Sequence, residues 1–95
     1  MDEIQNLIPS FRACIMTAIT TRRQQNGDLN TVAAFAADII GHRTRYAAKL
    51  ESIRIAHPDA ATRDHADAAE QQIATITDRE IARARQTGRV EFEAA

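Results

Sequence analysis

The sequence predicts an all-α protein, either a three-helix antiparallel up-down-up bundle or an elongated helical hairpin with the first helix alongside. Two observations carry this prediction. The 95 residues include nineteen alanines and eleven isoleucines but only three glycines and two prolines. So few turn-forming residues argue against a many-stranded β protein, which needs a turn about every ten residues. The apolar residues also recur at helical spacing in three successive segments, so we expect one domain over residues 1–95 with a long central helix.

The first helix is predicted over about residues 3–25. Its apolar residues share one face at helical spacing: Ile4, Leu7, Ile8, Phe11, Cys14, Ile15, Ala18 and Ile19. Pro9 allows two starts, because Asp2 can cap a long helix that contains the proline, or Asn6 can cap a shorter one with Pro9 in its first turn. We prefer the longer helix because the apolar face keeps its phase back to Ile4. Gly27 then ends the segment.

The second helix is predicted over residues 30–56, with Asp28 and Asn30 both suited to cap its start. Its main face carries the larger apolar residues: Val32, Phe35, Ala36, Ile39, Tyr46, Leu50 and Ile53. The opposite face carries small residues: Ala34, Ala37, Gly41, Ala48 and Ser52. Two interpretations remain open for this small face. It packs against a second helix, which would place the second helix at the centre of the domain, or it is solvated alanine that only favours helix formation.

The third helix is predicted over about residues 59–87, beginning near Pro58, which suits the first helical position, and ending at Gly88. Its apolar face is thin: Ala66, Ala69, Ile73, Ile76 and Ala84, interrupted by Glu80. Alanine offers little apolar area, so we expect the middle of this helix to hold it and both ends to fray. The tail, residues 88–95, is either disordered or an arm that docks Val90 and Phe92 into a groove.

Composition excludes several functional classes. The net charge is −1, and no apolar run approaches the eighteen residues that a membrane span needs. The segment Met1-Asp2-Glu3 is acidic where a secretory signal is basic, so we expect a cytoplasmic protein, and the arginine-rich composition suggests a bacterium or its phage. Cys14 is the single cysteine, interpreted as a small buried hydrophobe or, alternatively, a reactive thiol.

The chemistry-bearing residues form no catalytic or metal-binding pattern. There is no glycine-rich phosphate loop and no nucleophile–base pair, and His42, His57 and His65 match no ligand spacing. The sequence therefore predicts a non-enzymatic protein without a cofactor, a metal or a small-molecule substrate.

Arg43 interrupts the main apolar face of the second helix. Antiparallel pairing around Pro58 would place position 43 level with residues 70–73, where Glu70 is the nearest partner. Three interpretations remain open: an internal pair with Glu70, a side chain that reaches solvent at the edge of the bundle, or a contact with another molecule.

Residues 42–54 carry four Lys and Arg residues against one acid, Glu51. A solvated charged face is one interpretation of this basic strip, and docking onto an acidic partner or a phosphate backbone is the other. We expect an adaptor, assembly factor or inhibitor that binds a protein partner, with a homodimer as a further expectation. The predicted contact residues are Arg43, Arg45, Tyr46 and Lys49, with Arg83 and Arg85 as a second patch.

A DNA-binding helix-turn-helix regulator is the alternative function. In that interpretation Gly41 marks the tight turn, and Arg43, Thr44 and Arg45 begin a recognition helix for the major groove. A bend at Gly41 would support it, and an unbroken helix would argue against it.

Overall fold

The structure of the protein is a computed structural model that describes residues 2–93, with side chains from residue 3 onward. It consists of α1 (Asp2–Arg23), α2 (Thr31–Ala56) and α3 (Ala60–Thr87). The predicted helices therefore match the observed ones to within two residues at each end. The longer form of α1, with Pro9 inside it, is confirmed. The side chain of Asp2, which was expected to cap α1, lies outside the described part of the chain.

The three helices form the predicted bundle in up-down-up order. Ser10 near the start of α1 meets Tyr46 in the second half of α2, whereas Arg22 at the end of α1 meets Asp38 in the first half. These two contacts show that α1 and α2 run antiparallel. The molecule measures 48 × 25 × 18 Å, its long dimension slightly exceeding the length of about 39 Å expected for the 26 residues of α2.

One hydrophobic core joins all three helices. Its fully buried large side chains are Phe11, Phe35, Ile39, Leu50, Ile73 and Val90. On α3 most of the buried positions are alanine or threonine: Thr62, Ala66, Ala69, Thr77 and Ala84, with Ile73 and Ile81 between them. The thin apolar face expected for α3 is therefore observed, and threonines extend it.

Both ends of α3 carry capping interactions. The carboxylate of Asp59 accepts a hydrogen bond from the backbone N–H of Thr62 at 2.9 Å, and this bond lowers the pKa of Asp59. Pro58 precedes this cap, so its expected place inside the first turn is wrong. At the other end Gly88 adopts φ +70°, and its N–H bonds to the carbonyl of Ala84 at 2.9 Å.

The start of the tail folds back onto the bundle. Val90 is only 1% exposed, and the side-chain amide of Asn26 in the α1–α2 turn bonds to both its N–H and its carbonyl, at 3.0 and 2.9 Å. Of the two interpretations offered by the sequence, the docked arm holds for residues 90–93. Residues 94 and 95 of the predicted tail lie outside the described residues.

The small-residue face of α2 has no helix of this chain against it. Four of its five residues, Ala37, Gly41, Ala48 and Ser52, are exposed, and Ala34 is half-buried. The interpretation that α2 packs on both sides is therefore wrong within the described chain, because α1 and α3 both pack on its large-residue side. Solvent covers the small face.

Candidate interaction surface

One group of arginines joins elements of the fold to each other. Arg22 of α1 donates to both carboxylate oxygens of Asp38 on α2, at 2.7 and 3.1 Å, and this pairing raises the pKa of Arg22. Arg54 of α2 bonds to Asp67 at 2.7 Å and to Glu70 at 3.3 Å, both on α3. These cations are satisfied by the protein's own carboxylates and are therefore part of its scaffold.

Arg83, a predicted contact residue, also belongs to this internal group. Its side chain is 24% exposed and binds Glu80 at 2.6 Å and the backbone carbonyl of Glu91 at 3.0 Å. A second nitrogen lies 3.6 Å from the Glu93 carboxylate. The prediction that Arg83 forms an outward patch with Arg85 is therefore wrong, because Arg83 holds the tail against α3.

A second group of cations points outward from α2 and α3. We call Arg43, Arg45, Lys49 and Arg85 the outer cations; all four are exposed. Among the described side chains, residues 3–93, Arg45, Lys49 and Arg85 have no carboxylate within ion-pair distance. Arg43 has only a long contact of 3.7 Å to Asp78, whose side chain is itself 76% exposed. The outer cations are thus available to another molecule.

The contact with Asp78 corrects the predicted partner of Arg43. Glu70 binds Arg54 instead, and position 43 lies opposite Asp78, about one to two turns further along α3 than expected. The register differs because α2 and α3 do not meet symmetrically about Pro58. Arg43 is also exposed rather than part of the apolar face.

Tyr46, another predicted contact residue, belongs to the core and not to a surface. It is 3% exposed, and its ring meets Phe11 edge-on with centroids 5.3 Å apart. Its hydroxyl pairs with Ser10 and lies 3.5 Å from the sulfur of Cys14, while burial raises its pKa. The interpretation of Cys14 as part of the packing fits this contact. Two exposed residues contact Tyr46: Ser10 at its hydroxyl, and Lys49, whose ammonium lies 4.5 Å from the centroid of the ring.

Between the outer cations lies a strip of mostly small and apolar residues, interrupted by Glu51, which we call the outer face of α2. It consists of exposed residues at helical spacing: Ala33, Ala37, Ile40, Gly41, Thr44, Ala48 and Ile55. Ile40 is 50% and Ile55 73% exposed. A Cβ atom at Gly41 would meet nothing within 4 Å, so packing within this chain does not require a glycine there. The acid on this side, Glu51, is bound to Arg54.

The outer cations lie on both edges of this face. On the edge next to α3, Arg43 and Arg85 flank a shallow groove whose walls include Ile40 and Ile81. On the edge next to α1, Arg45 contacts the Nδ1 atom of His42. Since arginine only donates hydrogen bonds, this nitrogen is the acceptor and His42 is neutral in the contact.

The pKa of His42 agrees with that assignment. Partial burial lowers it from the ordinary value, and the charge of Arg45 lowers it further, against a smaller opposing effect of Asp38. A neutral His42 holds Arg45 in one orientation at the edge of the outer face.

The helix-turn-helix alternative lacks its turn. α2 is one helix from Thr31 to Ala56, and Gly41 is an exposed residue in its interior. Arg43, Thr44 and Arg45 therefore lie in the middle of a helix and not at the start of a recognition helix. The helix predicted over residues 30–56 is confirmed as one helix, and the turn at Gly41 that the alternative requires is absent.

Within residues 2–93 no three His, Cys, Asp or Glu side chains lie close enough together to hold a metal ion. None of the three described helices has the apolar length that crossing a bilayer requires. No known protein-family model, curated protein or solved structure matches the chain.

Sequence reasoning separated the arginines only in part. It selected Arg43, Arg45, Lys49 and Arg85 correctly as exposed cations, but it also selected Tyr46 and Arg83. The available signal for Tyr46 was its place on the main apolar face. For Arg83 the signal was Glu80 three residues earlier, a spacing that brings opposite charges together on a helix.

Proposed function

We propose that this protein is a small non-enzymatic adaptor, assembly factor or inhibitor of a bacterium or phage, which binds a larger protein through the outer face of α2. This proposal is supported by the difference between the cations that have carboxylate partners within the fold and those that have none. Arg22 and Arg54 have carboxylate partners inside the fold, whereas Arg45, Lys49 and Arg85 have none among the described residues. They flank a strip of mostly small and apolar residues, whose one acid, Glu51, is paired with Arg54. A centre poor in charge with a polar, arginine-containing rim is the usual anatomy of a protein interface.

The same charges favour an acidic partner over a second copy of the chain. A symmetric dimer through the outer face would bring two sets of outer cations close together, and like charges across an interface are costly. A partner helix with apolar side chains for Ile40 and carboxylates at its edges would match both features. The homodimer expected from the sequence remains a prediction, which sedimentation of the purified protein measures directly.

Nucleic acid is the alternative partner, because phosphates also bind exposed arginines. The unbroken α2 removes the structural basis of the helix-turn-helix version. The exposed Ile40 and Ile55 add apolar area that phosphate contacts do not use. These observations favour a protein.

The test compares two variants of equal charge. In Arg45→Gln with Lys49→Gln, both changes lie at the edge of the outer face; in Arg63→Gln with Arg89→Gln, both lie on exposed positions outside it. Each chain is used as bait in the cell of origin, with nuclease treatment and quantitative identification of bound proteins. We expect one protein to be retained by the wild type and by the second variant and to be lost by the first.

Two results would contradict the proposal. If both variants retain the same protein equally well, the outer face of α2 is not the surface that binds it. Retention that disappears after nuclease treatment, together with a salt-dependent gel shift on duplex DNA, would favour nucleic acid instead. Circular dichroism of each variant establishes that it is folded before binding is compared.

A further inference from the structure

A second feature of the bundle is a groove between α1 and α3, lined by these helices and by the tail. One end lies between Ile4 and Ala69, and its middle is floored by Ile76. The other end lies over Ile15 and Ile19. The three sections follow one another along α1, with Gln72 between the first two and Arg12 and Ile76 common to the last two. We call it the α1–α3 groove; its described lining includes no residue of α2.

The tip of the tail occupies one end of this groove. Phe92, which is 39% exposed, lines this end beside Met16. The guanidinium of Arg23 lies 5.4 Å from the centre of the Phe92 ring. Glu93 bonds to Arg79 at 2.7 Å and lies 3.6 Å from Arg83. The tail therefore shows which chemistry the groove accepts: an aromatic side chain over an apolar floor, followed by a carboxylate between arginines.

The rest of the groove continues past Glu93 with the same character. Arg12 lines both the section occupied by the tail and the next one, and it has no carboxylate partner among the described side chains, residues 3–93. Ile76 is only partly buried, and the far section adds the partly buried Ile8 and the exposed Pro9 and Ala68. The uncovered part thus combines apolar area with a free cation, which is complementary to an acidic segment with apolar side chains.

The contacts of the tail tip are of a kind that another segment can replace. The side chains of Arg79 and Glu93 are 66% and 57% exposed, and exposed ion pairs contribute little to stability. The anchor of the tail is separate, because Val90 and its two hydrogen bonds to Asn26 lie before the tip. Exchange at Phe92 and Glu93 would therefore leave Val90 buried and the core closed.

We propose that the α1–α3 groove is a docking site for a linear segment of a partner protein in which an aromatic residue is followed by an acidic one. In the free protein, Phe92 and Glu93 occupy this site and compete with the partner. The proposal is independent of the outer face of α2, since the two surfaces have no described residue in common.

The test uses the full chain with its own tip removed from the groove, as Phe92→Ala with Glu93→Gln. The ¹⁵N-labelled variant is titrated with the peptide Glu-Phe-Glu-Ala-Ala, and the backbone amide shifts are followed by NMR. We expect shifts at Arg12, Met16 and Arg79. The wild type should bind the peptide about tenfold more weakly, the factor that applies if the tip occupies the groove in about nine of ten molecules.

Controls separate docking from a general effect of charge. Adding Arg79→Gln to the emptied chain should weaken binding of the peptide by up to about fivefold, while adding Arg63→Gln, an exposed position outside the groove, should leave the affinity unchanged. The peptide Glu-Ala-Glu-Ala-Ala should not bind. The spectrum of each variant shows whether it is folded.

Three outcomes would overturn the proposal. The first is an absence of groove shifts at millimolar peptide in a folded, emptied chain. The second is equal affinity of the wild type and the emptied chain, which would remove the competition. The third is a dimer formed when emptied and wild-type chains are mixed, which would assign the groove to the tail of a second copy.

Discussion

The contact between α1 and α2 and the contact of α3 with them use different means in one bundle. The first contains large side chains: Phe11 of α1 and Tyr46 of α2 meet edge-on and are both buried. On α3, most buried positions carry a methyl group or a hydroxyl instead, as at Ala66. The first contact is stabilised by apolar mass, whereas the second depends on close approach of the helices.

On α3, where large buried side chains are few, ion pairs and contacts with the tail add to the packing. Arg54 joins α2 to Asp67 and Glu70, and Arg83 joins α3 to the tail. The difference teaches that the two contacts fail in opposite ways. The α1–α2 contact is sensitive to the removal of atoms, and the α3 contact is sensitive to their addition.

The largest expected effect tests the first half of this comparison. Phe11 is fully buried, so Phe11→Ala removes an aromatic ring from the α1–α2 contact and leaves a cavity. We expect the free energy of unfolding to fall by about 3–5 kcal/mol, measured by urea denaturation. Met16→Ala, on the exposed side of the same helix, is the matched control and should cost well under half of that. An equal loss of unfolding free energy in the two variants would show that the buried aromatic ring of Phe11 does not stabilise this contact more than an exposed side chain does.

The next effect tests the second half. Ala66 is fully buried on α3, so Ala66→Leu inserts a larger side chain where the helices approach closely. We expect a loss of about 1–3 kcal/mol in the free energy of unfolding, because the helices must separate or the side chain must strain. Ala68→Leu, an exposed position on the same helix, should change stability by less than about 0.5 kcal/mol. A stabilising Ala66→Leu would mean that α3 is loosely packed rather than closely packed.

The same contrast explains what could be predicted from the sequence. The period of isoleucine and phenylalanine fixed the phase of α1 and of the main face of α2, because large apolar residues mark buried positions strongly. On α3 the signal is weak, since alanine and threonine occur on exposed and buried faces alike. Thr62 and Thr77 were therefore missed as core residues, although they continue the period of Ala66, Ala69 and Ala84.

The register of α3 was missed for a related reason. Nothing in a thin alanine face distinguishes a shift of one or two turns, so Arg43 was paired with Glu70 and not with Asp78. Charge counting identified the basic strip correctly. It did not reveal which arginines are satisfied inside the fold, because ion pairs such as Arg54–Asp67 depend on that register.

The smallest expected effect concerns acid and belongs to the α1–α2 side. His42 lies near Asp38, whose partner is Arg22 of α1, and beside Arg45. Its pKa in the folded protein is below the ordinary value of 6.5, chiefly through burial and then through the charge of Arg45. As the pH falls through that ordinary value, the unfolded chain binds a proton at this histidine before the folded chain does. Stability therefore falls with pH from neutrality until His42 is protonated in both states.

His42→Gln should remove this part of the pH dependence, whereas His65→Gln, at an exposed position of α3, should keep it. The measurement is the free energy of unfolding of the wild type and the two variants, from urea denaturation between neutral and mildly acidic pH. Protonation of His42 also ends its role as acceptor for Arg45, so the acid-induced loss should be accompanied by a change in the amide shifts around Arg45. A pH dependence that persists in His42→Gln and disappears in His65→Gln would move the acid-sensitive contact from the α1–α2 side to α3. That result would contradict the assignment of the acid-sensitive group to the α1–α2 contact.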